Sequence, residues 1–394
     1  MSAGSEGAGS ARDLRLDFFR GIGMFIILIA HIPGNPWINW IPARFGFSDA
    51  TEIFVFCSGM ASAYAFASVF DRHGGWMGAA RILLRVWQVW WTQIGVFVAV
   101  MVVLIAADRL YVTDAYTRNL QLDRFFADPA SGMLGLVTLT YVPIYFDILP
   151  MYLVILMLIP VMVTIARHAG PSWALALSVA IWAAAQTRLT ALPADPWVYR
   201  PWFFDPFGWQ LVFFTGFAFI RGWLPAPPRS ERLVILCACV LVASIPFAWL
   251  PLFRAVPILQ AAHDLLLPLT DKTRFGLLRY LHFLALAYLA WLLVGPAGSR
   301  LRGALVEVAV AVGRQSLAVF VTGLVTAQIL GIVLDRVGAG PVVTVLVNVL
   351  GMAVLVAAAY AVGWYKSVPW RQRRGTSEPA RAAEPVAVLS RPVR

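Results

Sequence analysis

Apolar runs of about twenty residues, each closed by a short polar or Pro/Gly-rich interruption, repeat along this chain. They predict helical spans near 16–34, 50–70, 86–107, 147–166, 171–187, 207–224, 233–251, 276–296, 313–334 and 341–364. Within the first, Arg20 and His31 stand eleven residues apart in an otherwise apolar stretch from Phe18. Eleven steps of ~100° bring a helix back to within about 20° of its start, so both side chains share a face, about 16 Å apart along the axis. Neither group belongs in hydrocarbon unless it lines a polar cavity, which makes the pair a functional-site candidate. Asp17 and Arg20, at i,i+3, can also pair with each other.

The second span opens on Ser48-Asp49-Ala50-Thr51-Glu52, the spacing of a capping box, with Ser48 or Asp49 as N-cap. Glu52 can serve that cap and also face the level at which His31 ends span one. Ser58-Gly59 follows, a small pair suited to close helix approach. Further polar groups stand at the ends of other spans: Asp147, Trp209 and Gln210, the run from Asp271 to His282 that includes Arg279, and Arg314-Gln315-Ser316. A single such group reads as a snorkelling charge or a helix–helix hydrogen bond. Their distribution over six spans predicts a shared polar cavity.

Between the third and fourth spans lie alternating charges from Asp108 to Asp128. The apolar piece from Met133 to Tyr145 that follows is too short for a span and reads as interfacial or re-entrant. Residues 188–206 hold Trp197, Tyr199, Trp202, Phe203 and Phe204 among prolines, a headgroup belt or a surface for stacking on sugar rings. Residues 1–11 and 371–394 read as disordered tails around one membrane domain, 12–370.

Composition sharpens this pattern. Apolar residues make up 60% of the 394 and charged residues 13%, far from the balance of a soluble domain. The net charge of +11 does not signal nucleic acid, because the basic residues punctuate apolar segments. With the N-terminus inside, twenty of the thirty-one Lys/Arg fall on the cytoplasmic side, so both termini are expected there. The expectation is an all-α polytopic membrane protein of about ten transmembrane helices. Cys57, Cys237 and Cys239 all lie in apolar segments, and neither a disulfide nor a metal site is expected.

Arg20-x10-His31, the Ser-Asp-x-x-Glu entry and Ser58-Gly59 resemble the type-3 membrane acyltransferases. Five blocks in order resemble, more closely, the OpgC family: Leu16–Gly21, Phe146–Tyr152, Pro206–Gly216, Arg279–Ala285 and Gly313–Leu317. The resemblance spans about residues 12–370. It implies a multi-pass bacterial inner-membrane enzyme that moves succinyl from cytoplasmic succinyl-CoA to hydroxyls of a periplasmic glucan. His31 would be the catalytic histidine and Arg20 its motif partner. Acyl-CoA is then a co-substrate, with no permanently bound cofactor.

Such chemistry needs a base for the attacking hydroxyl, and imidazole suits it. Glu52 can orient that imidazole. Asp147, Trp209, Gln210, Asp271, Arg279 and His282 are candidates for the acceptor site or the oxyanion donor. Arg20, Arg314 and Gln315 are candidates for CoA binding, with topology and the Asp17 pair an equal reading of Arg20. The rival function is a transporter or flippase using the same intramembrane charges, although no internal repeat is visible.

Overall fold

The structure, a computed structural model, describes residues 13–368, so both expected tails lie outside the described residues. Apart from an isolated bridge between Pro193 and Pro201, the regular structure among these residues is helical. The helices are α1 (Leu14–His31), α2 (Ala50–Ser62), α3 (Ser68–Tyr111), the short α4 (Ala115–Asn119), α5 (Asp123–Ala127) and α6 (Pro129–Thr138), then α7 (Ile148–His168), α8 (Pro171–Gln186) and α9 (Pro206–Arg221). After them come α10 (Glu231–Ala248), α11 (Leu250–Ala255), α12 (Pro257–Thr270), α13 (Leu277–Val294), α14 (Ala304–Arg314), α15 (Ser316–Val337) and α16 (Pro341–Lys366).

Each predicted span falls on a helix, but among the described residues only six helical stretches are long and apolar enough to cross a membrane: Ala50–Tyr111, α7, α10, α13, α15 and α16. The shortfall has three physical causes. The eighteen residues of α1 carry Arg15, Asp17 and Arg20. Helices α8 and α9 have 16 residues each, about 24 Å against a hydrocarbon core of ~30 Å. Finally, α2 and α3 join through a π-helical turn, Ala63–Ala67, and the break in this long stretch is Gly74, at φ 82° and ψ 175°.

The core is built around α9, whose residues from Gly208 to Ala218 are all buried. Its phenylalanines Phe213, Phe214 and Phe217 are fully enclosed. Gly59 and Gly216 let α2 and α9 touch backbone to backbone: a Cβ on Gly59 would collide with the Phe213 carbonyl, and one on Gly216 with that of Phe56. The Ser58-Gly59 step therefore does the packing its composition suggests. On the other side of α2, α1 packs against α14, α15 and α16. There Gly21 meets Ala309 and Gly313 meets Asp17, again too closely for any Cβ.

Neutral polar pairs brace helices across long sequence separations. Asn35 and Asn348 exchange amide hydrogen bonds of 2.9 and 3.0 Å, both side chains buried. The short apolar piece after Met133 is the end of α6 followed by irregular chain, which turns inward and buries Tyr141, Val142 and Phe146. The aromatic loop 188–206 folds largely on itself. Trp202 is buried and donates to the Pro193 carbonyl at 2.8 Å, whereas Tyr199 is 86% exposed. The three cysteines are free, with Cys237 buried and Cys239 exposed, as their i,i+2 spacing implies.

Candidate active site

Helix α1 stops at His31 because Pro33-Gly34-Asn35-Pro36 cannot continue it, and Ile32 is already extended. The imidazole Nδ1 lies 2.7 Å from the Ile27 carbonyl oxygen. A carbonyl only accepts, so Nδ1 carries a proton, and in the neutral ring Nε2 then keeps its lone pair. The ring meets Tyr145 edge to face, centroids 5.2 Å apart. Tyr145 in turn donates its hydroxyl to the Leu324 carbonyl at 2.6 Å, which ties this wall to α15. It holds a φ of 92°, a conformation bulky side chains rarely adopt.

A second cluster forms where α2 begins and α13 begins. Asp49 is the N-cap of α2: its Oδ1 accepts from Thr51 N at 2.7 Å, while its own N–H donates to Glu52 Oε2 at 2.8 Å. The capping box read from the sequence is therefore present. Glu52, fully buried, pairs through Oε1 with Arg279 Nε at 2.6 Å. Lys272 Nζ lies 2.5 Å from Asp49 Oδ2, and Arg279 Nη2 lies 3.5 Å from the same oxygen. Arg279 also donates to the Phe47 carbonyl at 2.5 Å, and Ser48 Oγ meets His282 Nδ1 at 2.7 Å. Two carboxylates and two cations balance. Burial alone would raise the Asp49 carboxyl, but the Lys272 and Arg279 charges outweigh it and hold it well below the usual carboxylate range. Glu52 thus sits on Arg279, and the group that orients His31 at Nδ1 is a backbone carbonyl of its own helix.

A third cluster lies at the far end of α1, where α14 breaks and α15 begins. Arg20 donates to Ser316 Oγ, Arg314 lies 3.5 Å from Asp17, and Gln315 accepts from Lys366 at 2.7 Å. The three candidates for CoA contact are therefore neighbours, and the Arg314 side chain is half exposed.

The remaining candidates have their own hydrogen-bond partners. Gln210 is fully buried; its amide donates to the Ser178 carbonyl at 2.7 Å and the Phe207 carbonyl at 3.1 Å, and its oxygen accepts from Ser178 Oγ at 2.7 Å. Both amide protons are committed to bracing α8 against α9. Trp209 donates to the Lys272 carbonyl at 2.8 Å. Asp271 accepts from Thr273 N and Arg274 Nε at 2.8 and 2.6 Å, a local turn. Asp147 is buried, and its Oδ1 has no hydrogen-bond partner among the described residues.

The predicted site residues thus form contacts around His31, around Asp49 and around Arg20, while Gln210 braces α8 against α9. Tyr145 and Lys272 were not among the predicted site residues. For Lys272 a signal existed, since the chain has only two lysines, Lys272 and Lys366. Tyr145 carried none.

The family described as OpgC protein matches residues 12–367. The chain belongs to the OpgC family. Membership covers nearly the whole chain and points to a membrane acyltransferase acting on periplasmic glucan. The six long apolar helices fit a multi-pass membrane protein of that kind. No curated protein and no solved structure matches this chain.

Proposed function

We propose that this OpgC-family protein transfers an acyl group, succinyl in the first instance, from cytoplasmic acyl-CoA to glucan hydroxyls on the periplasmic side. His31 is the general base. The observation that carries this reading is the 2.7 Å contact from Nδ1 to the Ile27 carbonyl, which leaves Nε2 as a lone-pair acceptor at the end of α1. The glucan oxygen attacks the thioester carbonyl as its proton passes to Nε2. The tetrahedral intermediate then expels the CoA sulfur, which recovers that proton. One C–O bond forms and one C–S bond breaks.

Topology supports the same division of labour. In this reading both termini are cytoplasmic, so Arg20, Arg314 and Gln315 face the side where acyl-CoA is made, and His31 lies about 16 Å further out. A CoA pantetheine arm extended from the Arg20 end reaches that depth. Arg20 and Arg314 then serve the donor as fixed cations for its phosphates.

The test uses the full chain in nanodiscs with labelled succinyl-CoA and a periplasmic glucan. Label reaches the glucan with the wild type, and His31→Ala lowers the rate about 10²–10⁴-fold, the usual contribution of a positioned base. Substantial turnover by a folded His31→Ala protein removes His31 from this role. If the wild type consumes no acyl-CoA tested, acyl transfer fails and transport through the same membrane domain takes its place.

A further inference from the structure

At the end of the bundle where α1 stops, the chain encloses a groove of about 750 Å³ between the 188–205 loop and the 267–274 segment. Its size falls within the roughly 300–1,000 Å³ of small-molecule sites. Hydrogen bonds tie its walls together. Asp205 N–H donates to the Thr273 carbonyl at 3.0 Å, and Arg274 and Gln186 exchange hydrogen bonds of 2.8 and 2.9 Å. The lining joins an aromatic platform to planar polar groups. Tyr199 is 86% exposed, Trp202 is buried, and Arg188, Asp271, Lys272 and Arg274 complete the rim.

Those charges are not equivalent. Asp271 pairs with Arg274 at 2.6 Å and Lys272 with Asp49 at 2.5 Å, whereas Arg188 is exposed and meets no carboxylate among the described residues. A pyranose offers an apolar C–H face and an edge of vicinal hydroxyls. An exposed phenol ring covers the first, and guanidinium and carboxylate groups bind the second in pairs. Lys272 belongs to both places: it lines the groove and it closes the Asp49–Arg279–Glu52 cluster.

We propose that this groove is the docking subsite for the glucan chain, with Tyr199 as its stacking platform and Arg188 as its principal free hydrogen-bond donor. The inference builds on the acyl-transfer reading and adds where the acceptor is held. Its chemistry also suits an acylated product, since each succinyl ester adds a carboxylate that Arg188 attracts.

The experiment measures binding of a gluco-oligosaccharide to the full chain in nanodiscs by calorimetry, without any acyl donor. Tyr199→Ala and Arg188→Gln are each expected to weaken binding about tenfold, equivalent to ~1.4 kcal/mol. Tyr199→Phe, which keeps the ring, retains near wild-type affinity. With a glucan acceptor, the same two losses appear in the KM for the acceptor and leave acyl-CoA affinity unmoved. Wild-type binding that neither substitution weakens overturns the groove assignment and leaves the acyl-transfer reading standing. A wild type that binds no gluco-oligosaccharide and labels no glucan overturns both. Because Tyr199 and Arg188 are exposed, folding is not at risk, and the melting temperature of each variant checks this directly.

Discussion

The His31 wall and the charge cluster at the head of α2 lie at the same end of the bundle, yet they are built on opposite principles. The cluster spends four ionisable side chains on one another: Asp49, Glu52, Lys272 and Arg279 form three ion pairs of 3.5 Å or less. His31 has a carbonyl on one nitrogen, an aromatic edge on its face, and a second nitrogen kept as an acceptor. Density of charge in a membrane protein therefore does not by itself mark the reacting atom. A group whose polar capacity is entirely consumed by neighbours holds helices; one left with a free lone pair can accept a proton. The two regions should thus separate in their readouts, with His31→Ala costing turnover and the cluster costing stability.

Arg279→Leu gives the largest stability effect. It strands Glu52, which is fully buried, without its 2.6 Å partner. Breaking one side of a buried pair costs about 3–5 kcal/mol, read as a large fall in melting temperature in nanodiscs. Replacing both partners, Glu52→Gln with Arg279→Met, should recover much of that loss. If the single variant keeps its stability and loses turnover instead, the cluster belongs to the chemistry and the contrast with His31 collapses.

Gln210→Leu probes a neutral version of the same principle. Its amide is engaged at 2.7, 2.7 and 3.1 Å with Ser178 and Phe207. Losing this brace should cost about 1–2 kcal/mol, the scale of interhelical hydrogen bonds in membranes. Turnover per folded molecule should hold. A selective loss of kcat at unchanged stability would return Gln210 to the oxyanion role.

What the sequence revealed was mostly what is local. The capping box was legible because Asp49 and Glu52 are three residues apart, and the end of α1 because Pro33 and Pro36 forbid a helix. Helix positions were legible from hydropathy alone. The Lys272–Asp49 and Arg279–Glu52 pairs join residues more than two hundred positions apart, and nothing in either segment names the other. The same holds for Gln210, whose use depends on Ser178 of the neighbouring helix. The His31 partner escaped notice for a different reason. A backbone carbonyl four residues earlier has no side-chain signature, so Glu52 was the natural candidate for the orienting group. Helix geometry placed His31 on one face with Arg20, and resemblance supplied its catalytic role.

Tyr145→Phe sharpens the comparison at its finest point. The tyrosine hydroxyl donates to Leu324 at 2.6 Å, but that carbonyl lies within α15, where helical geometry already supplies it with a donor. Removing the hydroxyl should therefore cost only about 0.5–1.5 kcal/mol of stability. The ring, which meets His31 at 5.2 Å, stays in place. If His31 works as a single base with an aromatic wall, Tyr145→Phe keeps kcat within a few-fold of wild type, and Tyr145→Ala, which opens the wall to water, lowers it further. A Tyr145→Phe protein that folds normally but loses turnover as deeply as His31→Ala would make the phenol part of the proton path. The imidazole would then be no more solitary than the charges beside it.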